Sequence, residues 1–154
     1  MMIRCCNLLK KLKGKTLVSA ESITGGGIGS VLTAVPGSSA AYKGGIISYC
    51  NEVKHQVLGV PLEILTQYGA VSAPVAEAMA KGARSVLDAD IAVSVTGLAG
   101  PGGDEFGNPV GTVFIGFSDA RQTVSRKFMF NGDREQIRQQ TITTALCLVE
   151  EMIK

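Results

Sequence analysis

Short apolar runs alternate with segments of helical period along this chain, and glycine or proline stands at nearly every junction. That alternation constrains the fold more than any other feature, because strands interleaved with helices build layered α/β domains. Residues 2–13 place apolar groups at helical spacing, and Gly14 stops the helix. Lys15–Ala20 reads as a short buried strand, Ile28–Val35 as a helix closed by Pro36-Gly37, and Gly45–Cys50 as a second strand. Two short helices are expected over Asn51–Gly59 and Pro61–Tyr68. Ser72 and an early Pro74 open a longer helix that runs to about Leu87. Ala89–Val95 is a third strand, leading into the glycine-rich loop Thr96–Pro109. Val110–Ser118 and Gln122–Phe130 have the pattern of an antiparallel hairpin. Asp133, with Gln136 as its capping-box partner, opens a final helix to about Ile153. The expectation is one domain over residues 1–154. It is a three-layer α/β/α sandwich around a mixed, mostly parallel sheet, with an antiparallel strand near the C-terminus.

Composition agrees and excludes several function classes. A domain of this length removes roughly 70% of its unfolded surface from water, so it needs no staples. With 45% hydrophobic and 18% charged residues the chain is not disordered. A net charge of +2 is too balanced for a protein that coats a polyanion, so nucleic acid is not an expected partner. The 19 glycines follow no collagen period and belong at turns and close backbone approaches. Cys5, Cys6, Cys50 and Cys147 form no CxxC pair and have no histidine cluster nearby, which reads as reduced cytosolic thiols without a metal. Met1–Lys15 mixes basic residues into an amphipathic pattern and does not read as a signal peptide. The uncharged run Ser22–Tyr42 is broken by glycines and Pro36, so it does not read as a membrane span.

Familiar catalytic signatures are missing. Gly14-Lys15-Thr16 imitates the end of a P-loop but precedes a strand, and no complete GxGxxG, GxSxG or Ser-x-x-Lys occurs. His55 is the sole histidine and falls within a helix. Small polar groups instead gather at strand ends. Glu21-Ser22-Ile23-Thr24-Gly25-Gly26-Gly27 links a strand to a helix, which suits either an anion seat on free N–H groups or an ordinary glycine-rich turn. Gly37-Ser38-Ser39 follows a helix stop, Tyr49 and Lys54 flank the end of a strand, and Thr96 ends another, where α/β folds hold ligands. Arg134 and Arg138 share one face at the start of the last helix, where cations oppose the helix dipole. An external anion or a carboxylate of the chain would compensate equally well.

Six segments together resemble one family. They are Ala20-Glu-Ser-Ile-Thr-Gly-Gly26, Val35-Pro-Gly-Ser-Ser-Ala40, Ile47-Ser-Tyr-Cys-Asn-Glu-Val-Lys54, Tyr68-Gly-Ala-Val-Ser72, Val95-Thr-Gly-Leu-Ala-Gly-Pro-Gly-Gly103 and Asn131-Gly-Asp-Arg-Glu-Gln-Ile-Arg138. In order and spacing they resemble the C-terminal domain of CinA, the competence and damage-inducible protein, from about residue 8 onward. Where the family usually has cysteine in the first motif, this chain has Ile23. The molybdopterin-binding-like domain of longer members has no counterpart here, so no pyrophosphatase activity is carried over. The resemblance implies a cytoplasmic amidase that converts nicotinamide mononucleotide to nicotinic acid mononucleotide and ammonia in pyridine nucleotide recycling. It implies Ser39 as nucleophile and Lys54 as base, with Tyr49 and Thr96 in the catalytic set. Arg134 and Arg138, with Ser22, Thr24, Gly25 and Gly26, are the expected substrate contacts. The implied partner is a small nucleotide, with no cofactor, metal or membrane; a homodimer is left open. The rival expectation is a non-catalytic nucleotide- or partner-binding module linked to competence or DNA damage.

Overall fold

The computed structural model describes residues 1–154 and resolves the alternation into six helices and five strands. In chain order these are α1 (Met2–Lys11), β1 (Leu17–Glu21), α2 (Gly27–Thr33), a 3-10 turn at Ser38–Ala40, β2 (Tyr42–Ile47), α3 (Asn51–Gln56) and α4 (Leu62–Tyr68). There follow α5 (Ala73–Val86), β3 (Ile91–Gly97), β4 (Thr112–Ser118), β5 (Thr123–Met129) and α6 (Arg134–Met152). The sheet order is β2-β1-β3-β4-β5. β2, β1 and β3 run parallel, β4 is antiparallel to β3, and β5 is antiparallel to β4. The expected layered α/β architecture with a C-terminal antiparallel hairpin is the one observed.

Burial explains the layers. β1 is buried at every position and β3 at all but its last, as strands covered on both faces must be. On one face α1, α2 and α6 pack together, with Leu8, Leu12, Ile28, Leu32, Ile137, Ile142 and Leu146 meeting Leu17, Val93, Val95 and Ile115. On the other face α5 lies across β1, β3, β4 and β5 through Val75, Met79, Ala80 and Ala83, and α4 packs beside it. α5 sits close to the sheet because its contact residues are small: the Ser94 hydroxyl donates to the Ala76 carbonyl at 2.5 Å. On its other side, a side chain at Gly82 would collide with the Leu58 carbonyl, so only glycine lets α5 lie against the loop between α3 and α4. Asp133 caps α6 as expected: its carboxylate accepts from the Gln136 N–H, and the Gln136 side chain accepts from the Asp133 N–H.

Two boundaries shift in ways that matter for the site. β1 extends one residue beyond the apolar run, to the buried Glu21. β2 starts earlier than its apolar residues, at Tyr42, because it is an edge strand registered on β1 from Leu17. No helix is long and apolar enough to cross a membrane.

Candidate active site

The parallel strands β2, β1 and β3 end on the same side of the molecule, and a pocket of about 290 Å³ opens there. Ser22 follows β1, Tyr49 and Lys54 come from the segment after β2, and Thr96 belongs to the last turn of β3. Arg134, the first residue of α6, closes one side, and the Gly97–Gly100 stretch with Ala70 and Val71 supplies much of the remaining wall. Crevices at the carboxyl ends of parallel strands are where open α/β sheets bind ligands.

Lys54 is part of the lining of this pocket. It is 1% exposed, although a lysine is rarely so deeply buried. Its Nζ donates to Ser22 Oγ at 2.9 Å, to the Ser48 carbonyl at 2.8 Å and to the Tyr49 carbonyl at 3.0 Å. Three acceptors match the three donors of an ammonium. On loss of a proton, two N–H groups can stay on the carbonyls while the lone pair faces Ser22, whose hydroxyl then becomes the donor. Burial pushes the Lys54 ammonium down from 10.5 to about 8, with the charge interaction with Cys50 opposing the shift. A lysine in that range exchanges its proton near neutrality, as a general base must.

The surrounding polar groups are held at fixed positions. Thr96, 1% exposed, donates its hydroxyl to the Ala70 carbonyl at 2.8 Å and keeps its lone pairs for another donor. Arg134 reaches across the mouth, donating to the Gly100 carbonyl at 2.7 Å and to the Tyr49 hydroxyl at 3.3 Å. Both contacts are exposed, so a charged ligand can compete for the guanidinium. The Ile23 N–H, next after Ser22, has no acceptor in the protein.

Four of the expected catalytic and binding positions thus meet at one pocket with Ser22: Tyr49, Lys54, Thr96 and Arg134. Ser39 does not join them. It lies exposed in the 3-10 turn ahead of β2, whereas Lys54 contacts the segment after β2. A six-residue strand separates the two ends, a span of about 20 Å at roughly 3.3 Å per residue. The serine that Lys54 touches is Ser22, assigned from sequence to substrate contact. Its position directly after the first parallel strand was the available signal, since that is the ligand end of such a sheet.

The expected anion seat is also different. The N-terminus of α2 is already occupied by an internal anion, because the Glu21 carboxylate accepts from the N–H groups of Ile28 and Gly29 at 2.8 and 3.1 Å. Thr24 is fully buried with its hydroxyl on the same carboxylate, and neither Gly25 nor Gly26 lines the pocket. Arg138 is likewise committed inside the protein. Its guanidinium donates to the Ile23 and Thr24 carbonyls and to Glu135. Of the two readings for a cation near the helix start, Arg138 follows the internal one and Arg134 alone faces the cavity. His55 donates to or accepts from nothing catalytic; its Nδ1 pairs with the Val60 carbonyl.

The CinA C-terminal domain model matches residues 3–153. The nicotinamide-nucleotide amidohydrolase PncC of Escherichia coli K12 is 46% identical over 137 residues, covering 88% of this chain and 83% of that protein. A CinA-like protein of Parasynechococcus marenigrum is 48% identical over 140 residues, 90% of this chain and 33% of the relative. The chain therefore spans about a third of the length of the CinA-like relatives it matches. A solved CinA superfamily protein of Escherichia coli superposes with a TM-score of 0.96 at 32% identity, covering 98% of this chain and 89% of that one. One from Agrobacterium tumefaciens gives 0.95 at 35% identity, with 99% and 95% covered. This chain belongs to the CinA C-terminal domain family.

Proposed function

Taking that family as the premise, we propose that the chain is a nicotinamide-nucleotide amidase. It hydrolyses the carboxamide of nicotinamide mononucleotide to nicotinic acid mononucleotide and ammonia, with Ser22 as nucleophile and Lys54 as base. The observation that carries this reading is the 2.9 Å hydrogen bond between a buried lysine and a pocket serine. Neutral Lys54 takes the Ser22 proton as Oγ bonds to the carboxamide carbon. The Ile23 N–H, unpaired within the protein and next in the chain after Ser22, serves the oxyanion. Lys54 then returns the proton to the departing nitrogen, the C–N bond breaks, and ammonia leaves an acyl-serine. Water, deprotonated by Lys54, cleaves that ester and restores Ser22.

The remaining groups fit a nucleotide. Arg134 takes the 5′-phosphate by exchanging its Gly100 and Tyr49 contacts for phosphate oxygens. Thr96 accepts from the substrate amide while its own proton stays on Ala70. We place the reaction in pyridine nucleotide recycling in the cytoplasm. Purified protein incubated with nicotinamide mononucleotide should release equimolar ammonia and nicotinic acid mononucleotide. Tight binding without ammonia would instead identify a nucleotide-binding module.

A further inference from the structure

The residue beside Ser22 is a buried carboxylate without a counter-ion. Glu21 ends β1 and is 2% exposed, and no lysine, arginine or histidine pairs with it. Such a group is costly to bury unless its oxygens are fully hydrogen-bonded. Here they are. Oε1 accepts from the Thr24 hydroxyl at 2.6 Å and the Ile28 N–H at 2.8 Å. Oε2 accepts from the Gly29 N–H at 3.1 Å and the Ser19 hydroxyl at 3.2 Å. The positive end of α2 supplies the electrostatic compensation that a cation would otherwise give.

These bonds fold the chain back on the residue that precedes Ser22. One side chain, at the end of β1, grips position 24 and positions 28 and 29, so the intervening turn cannot shift independently of the strand. Gly25 and Gly26 supply the positive φ values, 57° and 100°, that the reversal requires. The Glu21 backbone completes the brace: its carbonyl accepts from the Ser48 N–H at 2.8 Å, and the Ser48 carbonyl is itself a Lys54 acceptor.

We propose that Glu21 is a positioning residue whose carboxylate holds Ser22 Oγ against Lys54 Nζ by bracing the turn that carries Ser22. The claim rests on the amidase reading for its turnover measurement and on geometry alone for its labelling measurement. Three variants test it: Glu21→Gln, Thr24→Val and the conservative Glu21→Asp. Glu21→Gln keeps the shape but presents an amide N–H to donors. Thr24→Val removes one donor and leaves the charge and the α2 bonds, so it decides the matter if Glu21→Gln does not fold. For parent and variants, kcat and KM for nicotinamide mononucleotide are measured across pH, alongside the rate at which phenylmethanesulfonyl fluoride labels Ser22, followed by mass spectrometry.

Thr24→Val should lower both kcat and the labelling rate about tenfold, and Glu21→Gln about a hundredfold, the scale of an ~1 Å misplacement of a reacting group. KM should stay within about twofold, since Arg134 and Thr96, which hold the nucleotide, lie outside the braced turn. Glu21→Asp should recover part of the loss. The idea is overturned if folded Thr24→Val keeps the parental kcat, pH profile and labelling rate, or if lost activity simply tracks the unfolded fraction. A parent that labels at Ser22 yet releases no ammonia defeats the amidase reading, and the labelling rates of the variants still decide the role of Glu21.

Discussion

Lys54 Nζ lies 2.9 Å from Ser22 Oγ although 32 residues separate them in the chain. The contact joins the loop after β1 to the helix after β2, two neighbouring parallel strands that end side by side. Around it the lysine keeps two further acceptors, both main-chain carbonyls, which fix its Nζ regardless of protonation state. A serine facing a depressed lysine is activated without histidine, which suits a chain whose one histidine is bonded elsewhere.

Activity should follow the titration of Lys54. With its pKa pushed down to about 8, kcat/KM rises with pH through that value and levels off above it. Lys54→Arg should be as inactive as Lys54→Ala, because guanidinium stays protonated and cannot accept the serine proton. Substantial activity in the arginine variant, measured as ammonia release, would make Lys54 an electrostatic anchor instead of a base.

The same depression appears in stability, with a definite sign. The folded state holds the Lys54 proton less tightly than the unfolded chain does, so folding is penalised while both are protonated, below about pH 8. The penalty fades as pH rises from about 8 towards 10.5. Relative to Lys54→Met, which has no proton to lose, the parent should gain on the order of 2 kcal/mol between pH 7 and 9.5. Denaturant melts of the two proteins at matched pH read this directly. A constant difference across the range contradicts the burial account.

The two arginines of α6 should separate cleanly. Arg134→Ala should weaken nucleotide binding by about 1–3 kcal/mol, as for a charged hydrogen bond, and leave binding of the phosphate-free nucleoside nearly unchanged. Arg138→Ala removes the donors to the Ile23 and Thr24 carbonyls, so it should lower stability and affect nucleotide and nucleoside alike. Titration calorimetry with both ligands distinguishes the cases. Selective loss of nucleotide binding in the Arg138 variant would return the phosphate to that residue.

The layers were legible because they depend on period and punctuation. Gly14, Pro36-Gly37, Ser72-Ala-Pro and the Asp133–Gln136 box each sit at an element end in the structure. The pocket was legible in part, since Tyr49, Lys54 and Thr96 stand at strand ends and strand ends converge in a parallel sheet. What local pattern could not decide was choice among like residues. Ser22 and Ser39 both lie in small polar turns, and only the strand direction tells that Ser22 follows β1 whereas Ser39 precedes β2, at opposite ends of the parallel sheet. Arg134 and Arg138 share a helix face, but Arg138 is taken by carbonyls of the turn after β1, a long-range pairing that no local pattern records. Glu21 was hidden for a related reason: a carboxylate in a βα turn reads as solvated unless its four donors are seen together.

Ammonia release from nicotinamide mononucleotide, measured for the parent, Ser22→Ala and Ser39→Ala, bears most directly on the central claim. The account predicts stoichiometric ammonia from the parent, almost none from Ser22→Ala with its fold and nucleotide binding intact, and near-parental turnover from the exposed Ser39→Ala. A parent that binds the nucleotide without releasing ammonia, or a Ser22→Ala variant that turns over while Ser39→Ala does not, contradicts it.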